Sequence, residues 1–258
     1  MQRKKYFYLI EVQYLGFRLH GWQQNPTVKT VQGMINKTLG FVLPDRRLKT
    51  IGGSRTDAKV SANQYFFELF LEEEPMPDGF FENFNRNLPQ DIRALSIKEV
   101  DSKFNIIQHP KVKEYNYLFA FGEKPHPFSA SLVASFLEDL DIEKMKEAAK
   151  VFEGAHSFHA FVEAASEKTI TDREVLLADI IENVKYQANF FPEKTFIFRV
   201  KGEGFMRSQV RLMMGALVRI GNGELSIESL KKVLSDKNEF LLPFKAPASG
   251  LILEAVEY

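Results

Sequence analysis

The segment from Ile51 to Ala62 holds the densest chemistry in this sequence. It reads Ile-Gly-Gly-Ser-Arg-Thr-Asp-Ala-Lys-Val-Ser-Ala, too polar and too rich in turn residues to be core. Two glycines permit backbone geometry that other residues resist. Arg55, Thr56 and Asp57 follow, on a loop between two apolar runs, and loops on rigid scaffolds are where chemistry tends to be placed. Asp57 can act as nucleophile, general base or metal ligand. It can equally be an Asx-turn residue that accepts hydrogen bonds from its own backbone, and spacing alone favours this plainer role.

Three further constellations stand in the second half. Arg207 and Arg211 are four apart at the start of a predicted helix, which puts them on one face. Met206, Val210, Met213, Met214 and Leu217 spread over the remaining surface and can bury it. The two arginines can then line one cleft, or form an ordinary solvated basic face. Tyr115 and Tyr117 alternate along a predicted strand and share a side; a flat platform and core packing are both open to them, with packing the preferred role for Tyr117. His156 and His159 are three apart, but a catalytic zinc wants three protein ligands and no third accompanies them. Gly202-Glu203-Gly204 lacks the P-loop pattern, and no serine sits in a G-x-S-x-G elbow. Arg46-Arg47-Lys49 and Lys231-Lys232 can touch phosphates or be solvated charge.

The elements that must position these residues follow from periodicity. Alternation predicts strands over Tyr6–Tyr14, Arg47–Ile51, Ala62–Leu71, Ile92–Val100, Val112–Phe121, Val175–Ala188, Thr195–Lys201 and Leu251–Val256. Helical spacing predicts Thr30–Leu43, Pro77–Asn87, Asp141–Phe152, Phe205–Ile220 and a short helix capped by Ser226 running through Leu234. Strand–helix–strand units in both halves imply two related α+β subdomains, residues 1–105 and 106–258, with the boundary near Lys103 to Val112.

At 258 residues, 45% hydrophobic and 26% charged, the chain is an ordinary globular sequence with material for a substantial core. Phe is over-used, with 24 copies against a single Trp. With no cysteine, disulfides, thiolate zinc sites, iron–sulfur clusters and cysteine nucleophiles are excluded. Lys plus Arg total 34 and so do Asp plus Glu, so any nucleic-acid partner must be met by charge gathered on one face. No stretch reaches the apolar length of a membrane span, and a cytoplasmic protein is expected.

Seven ordered segments resemble those of the tRNA pseudouridine synthase A family. Gly53-Ser54-Arg55-Thr56-Asp57-Ala58-Lys59-Val60-Ser61-Ala62 resembles its G-R-T-D-A-G-V-H-A signature. Tyr14-Leu15-Gly16-Phe17 to Gly21-Trp22-Gln23 resembles its opening, Thr30-Val31-Gln32 the T-V-Q that starts its first helix, and Asn87-Leu88-Pro89-Gln90-Asp91-Ile92-Arg93 its L-P-x-D-I-R. Lys113-Glu114-Tyr115-Asn116-Tyr117 resembles R-x-Y-x-Y; Gly204-Phe205-Met206-Arg207-Ser208-Gln209-Val210-Arg211 resembles G-F-L-R-H-M-V-R; Ala246-Pro247-Ala248-Ser249-Gly250-Leu251 resembles A-P-x-x-G-L. Gly154-Ala155-His156-Ser157-Phe158 also resembles a family segment, G-x-H-D-F.

The resemblance implies a pseudouridine synthase fold: a mixed, largely antiparallel sheet flanked by helices, with a cleft between two subdomains. It implies uridine isomerisation in structured RNA, most of all at positions 38 to 40 of the tRNA anticodon stem-loop, by a homodimer without metal or cofactor, without membrane contact and without DNA as partner. Asp57 takes the place of the catalytic carboxylate, Arg211 of the arginine that supports its charge, and Tyr115 of the ring that stacks on the flipped base. Arg55 matches the arginine that holds RNA, and Leu251 a pocket wall. Arg207 and Lys59 are further RNA-binding candidates. Three departures stand out: Lys59 replaces a Gly, and Ser61 and Ser208 each replace a His. They bear on which RNA site is used, and the same fold acting on a different RNA site is one alternative. A non-catalytic RNA-binding module and a carboxylate hydrolase remain as alternatives, though hydrolases of that kind use two carboxylates and this motif holds one.

Overall fold

Alternation of apolar and polar residues sets the first strand. In β1 (Lys5–Tyr14) the side chains of Tyr8, Ile10, Val12 and Tyr14 are buried and their neighbours are less so, as period two requires for a strand with one face on a core. The computed structural model describes residues 4–109, 112–166, 168–239, 241 and 244–258. Part of the expected boundary segment, residues 110 and 111, lies outside them. Among the described residues, ten strands and five α-helices make the fold α+β. The chain divides into two units, Met1–Lys111 with Leu253–Tyr258, and Val112–Ile252.

In the first unit, β1 is followed by α1 (Val31–Val42), β2 (Leu48–Gly52), β3 (Ser61–Glu72), α2 (Phe80–Asn87) and β4 (Ile92–Val100). Strand β1 pairs antiparallel with both β3 and β4, so Ile10 faces Phe67 on one side and Ile97 on the other. Strand β2 pairs antiparallel with β3. Helix α1 begins where Thr30 accepts a hydrogen bond from the Gly33 N–H, an N-cap of the ordinary kind. It buries Val31, Ile35 and Leu39. Helix α2 starts at Phe80 and not at Pro77, because Gly79 has φ +69 and so lies outside helical geometry.

The second unit contains β5 (Val112–Phe121), β6 (Ala134–Phe136), α3 (Ile142–Lys150), β7 (Gly154–Ser157), β8 (Asp172–Glu182), β9 (Phe196–Gly202), α4 (Gln209–Gly221) and α5 (Ile227–Ser235). Strands β5, β9, β8 and β7 pair in that order, all antiparallel, and β6 runs parallel to β5. Asp141 caps α3, accepting from the Lys144 N–H at 3.1 Å. Helix α4 buries Met213, Met214 and Leu217 completely, each worth about 1.5–3 kcal/mol. Its first helical residue is Gln209, since Ser208 has φ 60. Arg207 therefore stands before the helix, and the expectation that Arg207 and Arg211 share one helical face does not hold. The last strand, β10 (Leu251–Glu257), pairs with β3 in the first unit.

Glu68 is an acid among apolar neighbours of β3, only 3% exposed. Burial pushes its carboxyl above the usual range, against a hydrogen bond from the Ile106 backbone that lowers it. The folded protein therefore holds this proton to higher pH than the unfolded chain does. Its contribution to stability falls as pH rises from the ordinary value of 4.5 through the folded value. Glu68→Gln is expected to flatten this part of the stability profile and to raise stability at neutral pH, read by urea unfolding at a series of pH values.

Candidate active site

Two stretches of backbone build the loop that carries Asp57. The Trp22 N–H donates to the Thr56 carbonyl at 3.4 Å, and the Lys59 N–H donates to the Leu19 carbonyl at 2.9 Å. The Tyr14 and Thr56 hydroxyls lie 3.0 Å apart, and Ser61 Oγ accepts from the Gly16 N–H at 2.9 Å. Gly21 has φ +79, and a Cβ there would meet the Thr56 carbonyl oxygen at 2.3 Å. Only glycine fits that approach.

Beneath the loop, Trp22 stacks on Tyr65 with centroids 4.2 Å apart, both rings almost wholly buried. The Tyr65 hydroxyl donates to the Ser54 carbonyl. Gln32, the last residue of Thr30-Val31-Gln32, joins the parts. Its Nε2 donates to the Thr50 carbonyl and hydroxyl, both at 3.1 Å. Its Oε1 accepts from Gln23 Nε2 at 3.0 Å and from the Gln24 N–H at 2.9 Å. On this support Asp57 is partly exposed, and Arg55 and Lys59 are exposed. Lys59 has φ 68, a left-handed conformation that suits glycine. Its ammonium lies 5.9 Å from the centre of the Phe17 ring.

The remaining expected site residues belong to the second unit. Arg211 is clamped to the segment after α5: its Nε donates to the Ala246 carbonyl at 2.9 Å, and the Ala246 N–H donates to the Arg211 carbonyl at 3.2 Å. Tyr117 donates from its hydroxyl to the Pro247 carbonyl at 2.7 Å. Burial pushes the Tyr117 phenol well up, while the positive charge of Arg211 pulls it down. Tyr117 is thus a fully buried packing residue. Gly250 seats the same segment, since a Cβ there would meet the Leu118 carbonyl oxygen at 2.7 Å. Tyr115 is 8% exposed and meets the Phe205 ring edge to face at 5.4 Å. Lys113 is pushed below the usual lysine range by burial. Leu251 is buried at the start of β10.

Arg207 is exposed. Its carbonyl accepts from the Glu163 N–H at 3.2 Å. Glu163 accepts from Lys245 Nζ at 2.7 Å and from Ser208 Oγ at 2.7 Å. Lys245 first, then Ser208, holds the Glu163 carboxyl down to about 2. Neither Glu163 nor Lys245 is marked by any sequence motif. His156 and His159 each bond a backbone carbonyl through Nε2, of Glu153 at 2.8 Å and of Glu239 at 3.0 Å. Among the described residues no group of three or more His, Cys, Asp or Glu could hold a metal ion, and no helix is long and apolar enough to cross a membrane.

The profile of a family described as tRNA pseudouridine synthase matches residues 148–258. A protein named tRNA pseudouridine synthase A 2, from Bacillus thuringiensis subsp. konkukian, is 33% identical over 252 residues, which cover 97% of this chain and 99% of that one. The chain belongs to the tRNA pseudouridine synthase A family. Proteins named tRNA pseudouridine synthase A from Pseudothermotoga lettingae and Thermosipho melanesiensis agree: the first is 34% identical over 96% of this chain and 97% of its own, the second 35% identical over 96% and 98%. The left-handed backbone at Lys59 gives a physical reason for the glycine of the family signature. Lys59→Gly is expected to raise stability by about 0.5–1 kcal/mol through relief of that backbone, and Lys59→Val to lower it by about 1–2 kcal/mol, both read by urea unfolding.

Proposed function

We propose that this chain isomerises uridine to pseudouridine in tRNA, with Asp57 as the catalytic carboxylate. The observation that carries the reading is similarity along nearly the whole chain to proteins named tRNA pseudouridine synthase A. The reaction breaks the bond between ribose C1′ and uracil N1. The ring turns and rejoins through C5, the C5 proton leaves, and N1 gains a proton. No atom is added or lost, and no redox partner is required.

Each residue has a role suited to its chemistry. Ionised Asp57 either attacks C1′ or helps to remove the 2′ proton. Arg211 supplies the positive charge that favours the ionised carboxylate. The clamp on Ala246 supports this role, since a guanidinium with a fixed Nε keeps one orientation. Tyr115 stacks on the extruded base, replacing neighbours that the base loses on leaving the helix; its edge contact with Phe205 limits the ring's freedom. Arg55, Lys59 and Arg207, all exposed, grip phosphates. Leu251 walls the pocket in which the base turns.

The target is the anticodon stem-loop at positions 38 to 40, and the enzyme works as a cytoplasmic homodimer. Two copies of a chain with equal numbers of basic and acidic residues can then line a larger positive groove.

Asp57→Asn is expected to abolish tritium release from 5-tritiated uridine tRNA while tRNA affinity stays within about threefold, because one neutralised carboxylate removes the reacting group and spares the phosphate contacts. A mutant that releases tritium at the normal rate refutes the assignment. Affinity for tRNA is also expected to fall steeply with salt; a flat profile counts against phosphate gripping.

A further inference from the structure

Glu163 is an acid among the cations of the second unit. One carboxylate oxygen takes Lys245 at 2.7 Å. The other takes the Ser208 hydroxyl at 2.7 Å, with Arg207 Nε 3.9 Å away. Lys245 adjoins Ala246, the residue that clamps Arg211. Ser208 stands where the family signature has a histidine. The Glu163 backbone is itself tied to the Arg207 carbonyl, which seats the residue beside these partners.

This arrangement is costly for a protein that grips a polyanion. With Glu163 in place the trio of Arg207, Lys245 and Glu163 carries one net positive charge; without it the trio carries two. The three side chains are 66%, 36% and 39% exposed, so a phosphate can reach them. Exposed ion pairs contribute little, and a phosphate accepts charge-assisted hydrogen bonds from the same donors. We propose that Glu163 stands in for an RNA phosphate on Lys245 and Arg207, and thereby sets tRNA affinity below the level those cations would otherwise give. The identity of the polyanion rests on the tRNA reading above. Glu163 acts through Lys245 and Arg207, and is a positioning residue and not a catalytic one.

The experiment titrates an unmodified tRNA transcript into wild type, Glu163→Gln, Glu163→Ala, Glu163→Asp and the double variant Glu163→Gln/Lys245→Ala across a salt series. Both charge-removing variants are expected to bind about three- to tenfold more tightly at low salt, with a salt slope steeper by about one. Glu163→Asp keeps the charge and stays near wild type. The double variant gives up the part of the gain that runs through Lys245 and keeps only what Arg207 supplies. In turnover, the charge-removing variants lower KM with kcat within about twofold. A purely structural tie makes the opposite prediction: both charge-removing variants bind equally or more weakly, with an unchanged slope. That result overturns the proposal, as does a gain in the double variant as large as that of Glu163→Gln alone. Wild-type pseudouridine formation is scored separately and reports on the tRNA reading, whereas the affinity ratios report on Glu163.

Discussion

Contact between two stretches of backbone, residues 16–24 and 54–60, is the constraint on which the Asp57 loop depends. A loop held by side chains moves whenever a rotamer changes. A loop held by the Trp22 and Lys59 N–H groups on the Thr56 and Leu19 carbonyls moves only if those bonds break, and buried backbone groups without partners are strongly disfavoured. The Trp22–Tyr65 stack closes the space below. Gln32 satisfies both ends of its amide in doing so; removing a buried amide's partners costs about 1–3 kcal/mol for each group left bare. Much of what the sequence motifs specify in this unit is therefore support for the loop.

The second unit repeats that logic with different parts. Ala246-Pro247-Ala248-Ser249-Gly250-Leu251 gives its Ala246 carbonyl to Arg211 and its Pro247 carbonyl to Tyr117. Gly250 leaves room for the neighbouring carbonyl of Leu118. A segment far from α4 in sequence thus fixes the direction of the arginine on α4. Such a motif carries no reacting group, yet it holds the Nε side of the Arg211 guanidinium.

Long strands were legible in the sequence because burial on one face imposes period two, as in Tyr8, Ile10, Val12 and Tyr14. The centre of α4 was legible from its methionines and leucines. Helix starts with a side-chain cap, Thr30, Asp141 and Ser226, were legible too; those of α2 and α4 were not, because a single left-handed residue decides them: Gly79 delays α2, and Ser208 delays α4 and leaves Arg207 outside it. β6 and β7, with three and four residues, are too short to show a period. The candidate site residues could be named because they stand in ordered motifs, and the resemblance supplied what spacing could not. Glu163 and Lys245 escaped because their partnership spans 82 positions and no local pattern encodes it.

The edge of β3 is covered by β10, and this has a consequence for how the chain is made. Asn63 Nδ2 reaches Glu254 Oε2 at 2.7 Å across 191 positions, and the Val256 N–H reaches Gln64 Oε1 at 2.9 Å. A ribosome must therefore deliver the whole second unit before the first can seal its sheet. During that interval the start of β3, which β2 does not pair, shows an unpaired row of N–H and C=O groups, and such rows template misassociation between nascent chains. Closure over so long a loop is also intrinsically slow. The first unit begins to form early and matures late.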